Sequence, residues 1–133
     1  MNHRIETVVL DSRGLSAWVS RDRAVLAMIR SFHSMAADLV VCANTITEVV
    51  HARVNTARLD WVLSQVKVEA VTEQAARAAA SLLKEAGLHG HEYAIDATVA
   101  ELALRRPGPA AMLTSDIDDM AKLCGGRVRL IAL

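Results

Sequence analysis

The stretch "VVLDSRG" (residues 8–14) runs three apolar residues straight into an aspartate and, three positions on, a glycine. Such an unbroken apolar run reads as a strand buried on both faces, as in the middle of a parallel sheet. Asp11 stands where that strand stops. In open parallel α/β sheets the carboxyl ends of the strands are where ligands bind, so its position raises a functional question before any other residue does.

Working outward, strand-like runs occur at "ETVVL" (6–10), "LVVCA" (39–43), "VKVEAV" (66–71), "AAMLTS" (110–115) and "VRLIAL" (128–133). Helical patterns fill most of the gaps. "SAWVSRD" (16–22) and "RAVLAMIRSFHSMAAD" (23–38) read as two helices broken near Ser20–Asp22, where a serine or aspartate caps the second. "TITEVVHAR" (45–53) and "RLDWVLSQ" (58–65) follow the second strand. "TEQAARAAASLLKEAG" (72–87) is amphipathic, with Thr72 as N-cap and Gly87 as its stop, and "HEYAIDATVAELALRR" (91–106) ends at the breaker "PGP". Strand alternating with helix predicts an α/β fold, a mostly parallel sheet with helices on both faces. At 133 residues, without repeats or linkers, the chain is expected to be a single domain spanning 1–133.

Composition narrows the function classes. Just over half of the residues are apolar, yet no uncharged run approaches the ~20 residues of a membrane span. "MNHRIETVVLDS" has no apolar region of signal-peptide length, so a cytoplasmic location is expected. Cys42 and Cys124 form no C-x-x-C pair and are expected to be core thiols. Fifteen basic residues balance fifteen acidic ones, so any nucleic-acid role must rest on a local site instead of a global field. Twelve of the basic residues are arginines, suited to bidentate contacts with carboxylate or phosphate.

Carboxylates gather where the sheet should bind. Asp11 follows the first strand, Asp116 the fourth in "MLTSDIDDM", and Glu48 lies early in the helix after the second. Asp96 sits in "YAIDATVAELAL", so apolar a helix that an unpaired charge there is costly. Glu92 precedes it by four residues, which on a regular helix adds negative charge to the same face. Such acids come together stably only around a cation, because two like charges 4 Å apart repel by about 4 kcal/mol at an effective dielectric of 20. Oxygen-only donors favour a hard ion, Mg²⁺ or Mn²⁺. Structural readings stand beside these: Asp11 as a helix cap, Thr45 and Glu48 as a T-x-x-E capping box, Ser115 or Asp116 as a cap, Asp96 as a satisfied core polar group. His89 and His91 in "HGHEY" lack a zinc-type spacing, and His51 lies one turn from Glu48.

The set "VVLDS", "TITEVV", "HEYAIDATVAELAL" and "MLTSDIDDM", in this order and spacing, resembles the PIN-domain ribonucleases, in particular the VapC toxins of toxin–antitoxin pairs. The resemblance spans 5–133. It implies a three-layer α/β/α sandwich with a five-stranded parallel sheet in the order 3-2-1-4-5. It further implies that Asp11, Glu48, Asp96 and Asp116 hold Mg²⁺ or Mn²⁺, with Asp119 assisting, Thr114 positioning a water, and Glu92 nearby. The implied activity is metal-dependent endoribonuclease cleavage by water, leaving a 3′-hydroxyl and a 5′-phosphate. Transfer RNA is a common target in the resembled family.

The implied partners are RNA, a VapB-like antitoxin and a second copy in a homodimer, with no membrane. Trp18, Met28, Phe32 and Met35 are candidates for the antitoxin groove, at least two of them being assigned to ordinary core packing. Arg13 departs from the family, which has a small polar residue there, and is a candidate contact for an RNA phosphate; Arg21, Arg23 and Arg53 join it. The alternative is a PIN-like module that binds RNA or protein without catalysis. A phosphoacceptor domain would need an aspartate after the middle strand, where Thr72 stands, and a haloacid-type hydrolase would need one at Arg13.

Overall fold

The computed structural model describes residues 4–133, so residues 1–3 of the single-domain reading lie outside the described part. Five strands, β1 (Thr7–Leu10), β2 (Asp38–Cys42), β3 (Lys67–Glu69), β4 (Ala110–Thr114) and β5 (Arg129–Ala132), form one sheet. Its order is β3-β2-β1-β4-β5 and every pairing is parallel, with Val9 opposite Val40 on one side and Met112 on the other. Every residue of β1 and β4 is buried, as the continuous apolar runs require. The edges carry Lys67 and Arg129, charges that discourage pairing with a further strand.

Seven helices connect the strands among the described residues: α1 (Ser12–Val19), α2 (Arg23–Ser34), α3 (Ala43–Val49), α4 (Thr56–Ser64), α5 (Glu73–Ala86), α6 (Gly90–Arg105) and α7 (Ile117–Cys124). The two-residue period of the strands sorts them into layers. Val8, Leu10 and Val41 pack with Leu15 and Trp18 of α1, Ile29 and Phe32 of α2, and Leu59 and Val62 of α4. Val9, Val40 and Met112 pack on the other face with Ala79 and Leu83 of α5, Leu102 of α6, and Met120 and Leu123 of α7. The fold is the expected three-layer α/β/α sandwich.

Local signals hold at several ends. Asp22 caps α2 through the Val25 N–H at 3.1 Å, Thr72 caps α5 through the Ala75 N–H at 3.1 Å, and Gly87 closes α5 at φ +69°. Within Pro107–Pro109, Gly108 adopts φ +74°, a left-handed conformation that favours glycine, and a Cβ there would have to displace the Glu6 carboxylate.

Two expectations need correction. The first helix starts at Ser12 and not at 16, because Asp11 caps it. Helix α3 starts at Ala43 with Cys42 in the cap position, which puts Thr45 inside the helix with its hydroxyl buried and unpartnered. The Thr45–Glu48 capping box therefore does not form. Of the four groove candidates, Trp18 and Phe32 are core residues, 2% and 6% exposed, in line with the assignment of at least two to core packing, and Met28 and Met35 remain as the half-buried pair. Cys42 and Cys124 are buried free thiols, and burial pushes Cys124 up to about 11.

Candidate functional site

The carboxyl ends of β1, β2 and β4 meet at one rim of the sheet. Asp11 is 2% exposed there, and its orientation is over-determined. Its Oδ1 accepts the Gly14 N–H at 2.8 Å and its Oδ2 the Ser115 N–H at 3.3 Å, so one carboxylate caps α1 and ties β1 to the end of β4. The Thr114 hydroxyl donates a third hydrogen bond to it. Burial pushes the Asp11 carboxyl above its ordinary range, against the pull of those three donors.

Thr114 is wholly buried, and its Oγ1 also accepts the Asp116 N–H at 2.9 Å. One hydroxyl thus holds Asp11 in place and fixes the turn that delivers Asp116. Asp116 occupies the cap position of α7, yet its side chain makes no capping bond, which leaves that carboxylate exposed and uncommitted. Ser115 contributes its backbone N–H to Asp11.

Asp96 reaches the rim from α6 through an irregularity. Tyr93 leaves the helical region, with φ −116° and ψ 16°, and kinks α6 there. Asp96 consequently lies in the first turn of the segment after the kink, where backbone N–H groups favour an anion, and not in mid-helix as the unbroken pattern suggested. It is half-buried, and its carboxyl is pushed up to about 6. Desolvation is the first cause, followed by the negative charges of Asp116, Glu48, Asp11 and Asp119. Four carboxylates, at the start of α1, on α3, in the β4–α7 turn and on α7, therefore act on a fifth. Glu92 is not among them; the kink breaks the four-residue relation, and the Tyr93 phenol is instead held above its ordinary value by the Asp119 charge first, then by Glu92, desolvation, Asp96 and Asp116.

Among the described residues this charge has no ion-pair partner. The ion pairs among the described residues are Lys67–Asp38, Arg77–Glu73, Arg105–Glu101 and Arg106–Glu69, and none includes an acid of the rim. Nor do three His, Cys, Asp or Glu side chains among the described residues stand close enough to grip an ion as they are. The acids share a rim and a field, with Glu48 and Asp116 exposed on it. An oxygen-only, unneutralised set of this kind suits Mg²⁺ or Mn²⁺ in its donor chemistry.

Two residues that sequence reasoning passed over brace the rim. The Asn44 amide of α3 donates to Thr98 Oγ1 of α6 at 2.8 Å, and Thr98 donates to the Ile95 carbonyl at 2.7 Å. Asn44 lies one turn before Glu48 and Thr98 two residues after Asp96, so the bridge sets how the helices carrying these acids face each other. The i, i+4 relation of Asn44 to Glu48 was the available signal. Arg13 is exposed and borders a cleft of ≈ 430 Å³ between α1, α2 and Leu133, with Ala17, Met28 and Ser115 on its walls.

No family model matches the sequence, and no curated protein does. The fold, however, matches a chain in the crystal structure of VapBC2 from Rickettsia felis bound to a DNA fragment from their promoter. The TM-score is 0.71 at 13% identity, over 96% of this chain and 98% of that one. At that identity the likeness is one of fold: the chain has the architecture of a chain in a VapBC structure, the three-layer PIN-like arrangement that its motifs resemble.

Proposed function

We propose that the chain is a metal-dependent endoribonuclease, the toxin of a toxin–antitoxin pair. The observation that carries this reading is the rim itself, where burial first and then the charges of Asp116, Glu48, Asp11 and Asp119 push the Asp96 carboxyl up to about 6, with no cationic side chain among the described residues paired to any of these acids. Stability alone does not account for such a cluster, because each acid there raises the cost of the next.

Asp11, Glu48, Asp96 and Asp116 would hold the ion, with Asp119 beside them. When bound, Mg²⁺ or Mn²⁺ supplies positive charge at a scissile phosphate and acidifies a water for attack. The chain's own part is positioning. Asp11 cannot swing, because three donors hold it. Thr114 keeps Asp116 in register with Asp11, and the Asn44–Thr98 bridge ties the helix of Glu48 to that of Asp96. Arg13, exposed beside the Asp11 cap, meets an RNA phosphate next to the cut.

The VapBC2 structure contains a toxin–antitoxin complex, and an antitoxin segment is the partner proposed for the cleft bordered by Arg13 and Met28. A homodimer is proposed with it. The test is direct. End-labelled RNA should be cut internally with Mg²⁺ or Mn²⁺, chelator should stop the cutting, and Asp116→Asn should slow it by about 100-fold or more. Cleavage that survives chelator would refute the proposal.

A further inference from the structure

A second cavity opens off the same two helices that deliver Asp11 and Glu48. Its volume is ≈ 200 Å³, below the roughly 300–1,000 Å³ of pockets for drug-sized ligands, so it suits a single ring system and not a whole cofactor. The floor is apolar: Val19 from α1, Val49 at the end of α3, and Val54. The mouth is polar, formed by Ser16, His51, Arg53 and Asn55.

Hydrogen bonding leaves that mouth with donors to spare. The Asn55 Oδ1 is used by the Arg58 N–H at 2.9 Å, which leaves the amide nitrogen for a ligand. His51 Nδ1 accepts the Arg53 N–H at 3.1 Å, so in the neutral ring the proton sits on Nε2. Among the described residues the hydrogen bonds of the side chains do not engage Ser16 Oγ, His51 Nε2 or the Arg53 guanidinium. An apolar slot with a donor-rich edge is what an unpaired nucleobase needs, one surface for its face and another for its carbonyl and ring-nitrogen edge.

Placement links the slot to the cut. Ser16 lies five positions beyond Asp11 on α1, about 7.5 Å of helix rise, and Val49 directly follows Glu48. The cavity is therefore within reach of a nucleotide next to a phosphate held at the acids. Resting on the nuclease reading above, we infer that the cavity between α1 and the α3–α4 connection receives the unpaired nucleobase flanking the scissile phosphate and sets base preference at that position, with Arg53 meeting the adjoining phosphate.

The test uses the full chain with Mn²⁺ and a pool of single-stranded RNAs randomised around the cut. Wild type should show a base bias at one flanking position, and Ser16→Leu, which fills the slot, should flatten it without a change in melting temperature. His51→Ala, on an exposed loop, gives a second route if Ser16→Leu folds poorly, and should weaken the same bias. An abasic nucleotide at the preferred position should lower kcat/KM about tenfold for wild type, carried by KM, and by less than about twofold for Ser16→Leu. Cleavage with no flanking bias, or with a bias unchanged in both variants, overturns the slot and leaves the nuclease reading standing. No cleavage by wild type overturns both.

Discussion

Asp11 is buried and Asp96 half-buried, and both have raised carboxyl pKa values, but they tolerate substitution differently. Asp96 is held near 6, above its ordinary 3.8, so the folded protein binds its proton more tightly than the unfolded chain does. That contribution to stability is present in acid and is lost as pH rises through about 6. Asp96→Asn, which cannot ionise, should raise the melting temperature of the metal-free protein at pH 7.5 and leave it little changed at pH 4.5; equal effects at both would show that no repulsion is stored there. Asp11 is also a cap, so its two roles must be separated. Asp11→Asn keeps an oxygen for the Gly14 N–H but turns an NH2 donor against the Ser115 N–H, so it should abolish cleavage at a cost of about 1–3 kcal/mol, whereas Asp11→Ala, which loses the cap as well, should lose a further ~1 kcal/mol in chemical denaturation.

At the scale of elements, the bridge between α3 and α6 makes its own prediction. Asn44→Ala leaves Thr98 with its Ile95 contact but removes the tie to the Glu48 helix. It should cost about 1 kcal/mol of stability and lower kcat more than it raises KM, because it touches no substrate. A change in KM alone would place Asn44 in substrate binding instead.

The elements also divide by how far the sequence disclosed them. β1 and β4 were legible because strands buried on both faces have no polar alternation to confuse them, and α5 because Thr72 and Gly87 mark both its ends. Asp11 and Asp116 were legible as rim residues because each directly follows such a strand. The kink at Tyr93 was not, since no proline or glycine stands at it and the apolar pattern runs through unbroken. Missing it placed Asp96 in mid-helix and Glu92 on its face. The early start of α3 was hidden because Cys42, at its cap position, offers no capping side chain, while Thr45 mimics one.

At the scale of the molecule, a neutral protein presents an acidic rim where a polyanion is proposed to bind. The arginines at hand, Arg13, Arg21, Arg23 and Arg53, are all exposed and spread over α1, α2 and the loops around them. RNA capture should therefore depend on the divalent ion as much as on these side chains. Arg13→Ala should weaken RNA binding and shrink its salt dependence by about one phosphate contact, without altering the response to the ion. Among the described residues no helix is long and apolar enough to cross a membrane.

The central claim is that carboxylates from α1, α3, α6 and the β4–α7 turn share one divalent ion, and calorimetric titration of Mn²⁺ into the metal-free protein at pH 6 and pH 7.5 tests it most directly. Binding should be tighter at pH 7.5, should release protons at pH 6, where Asp96 is partly protonated, and should be lost or greatly weakened in Asp96→Asn. Absence of binding by the wild-type protein, or binding that Asp96→Asn leaves untouched, would contradict it.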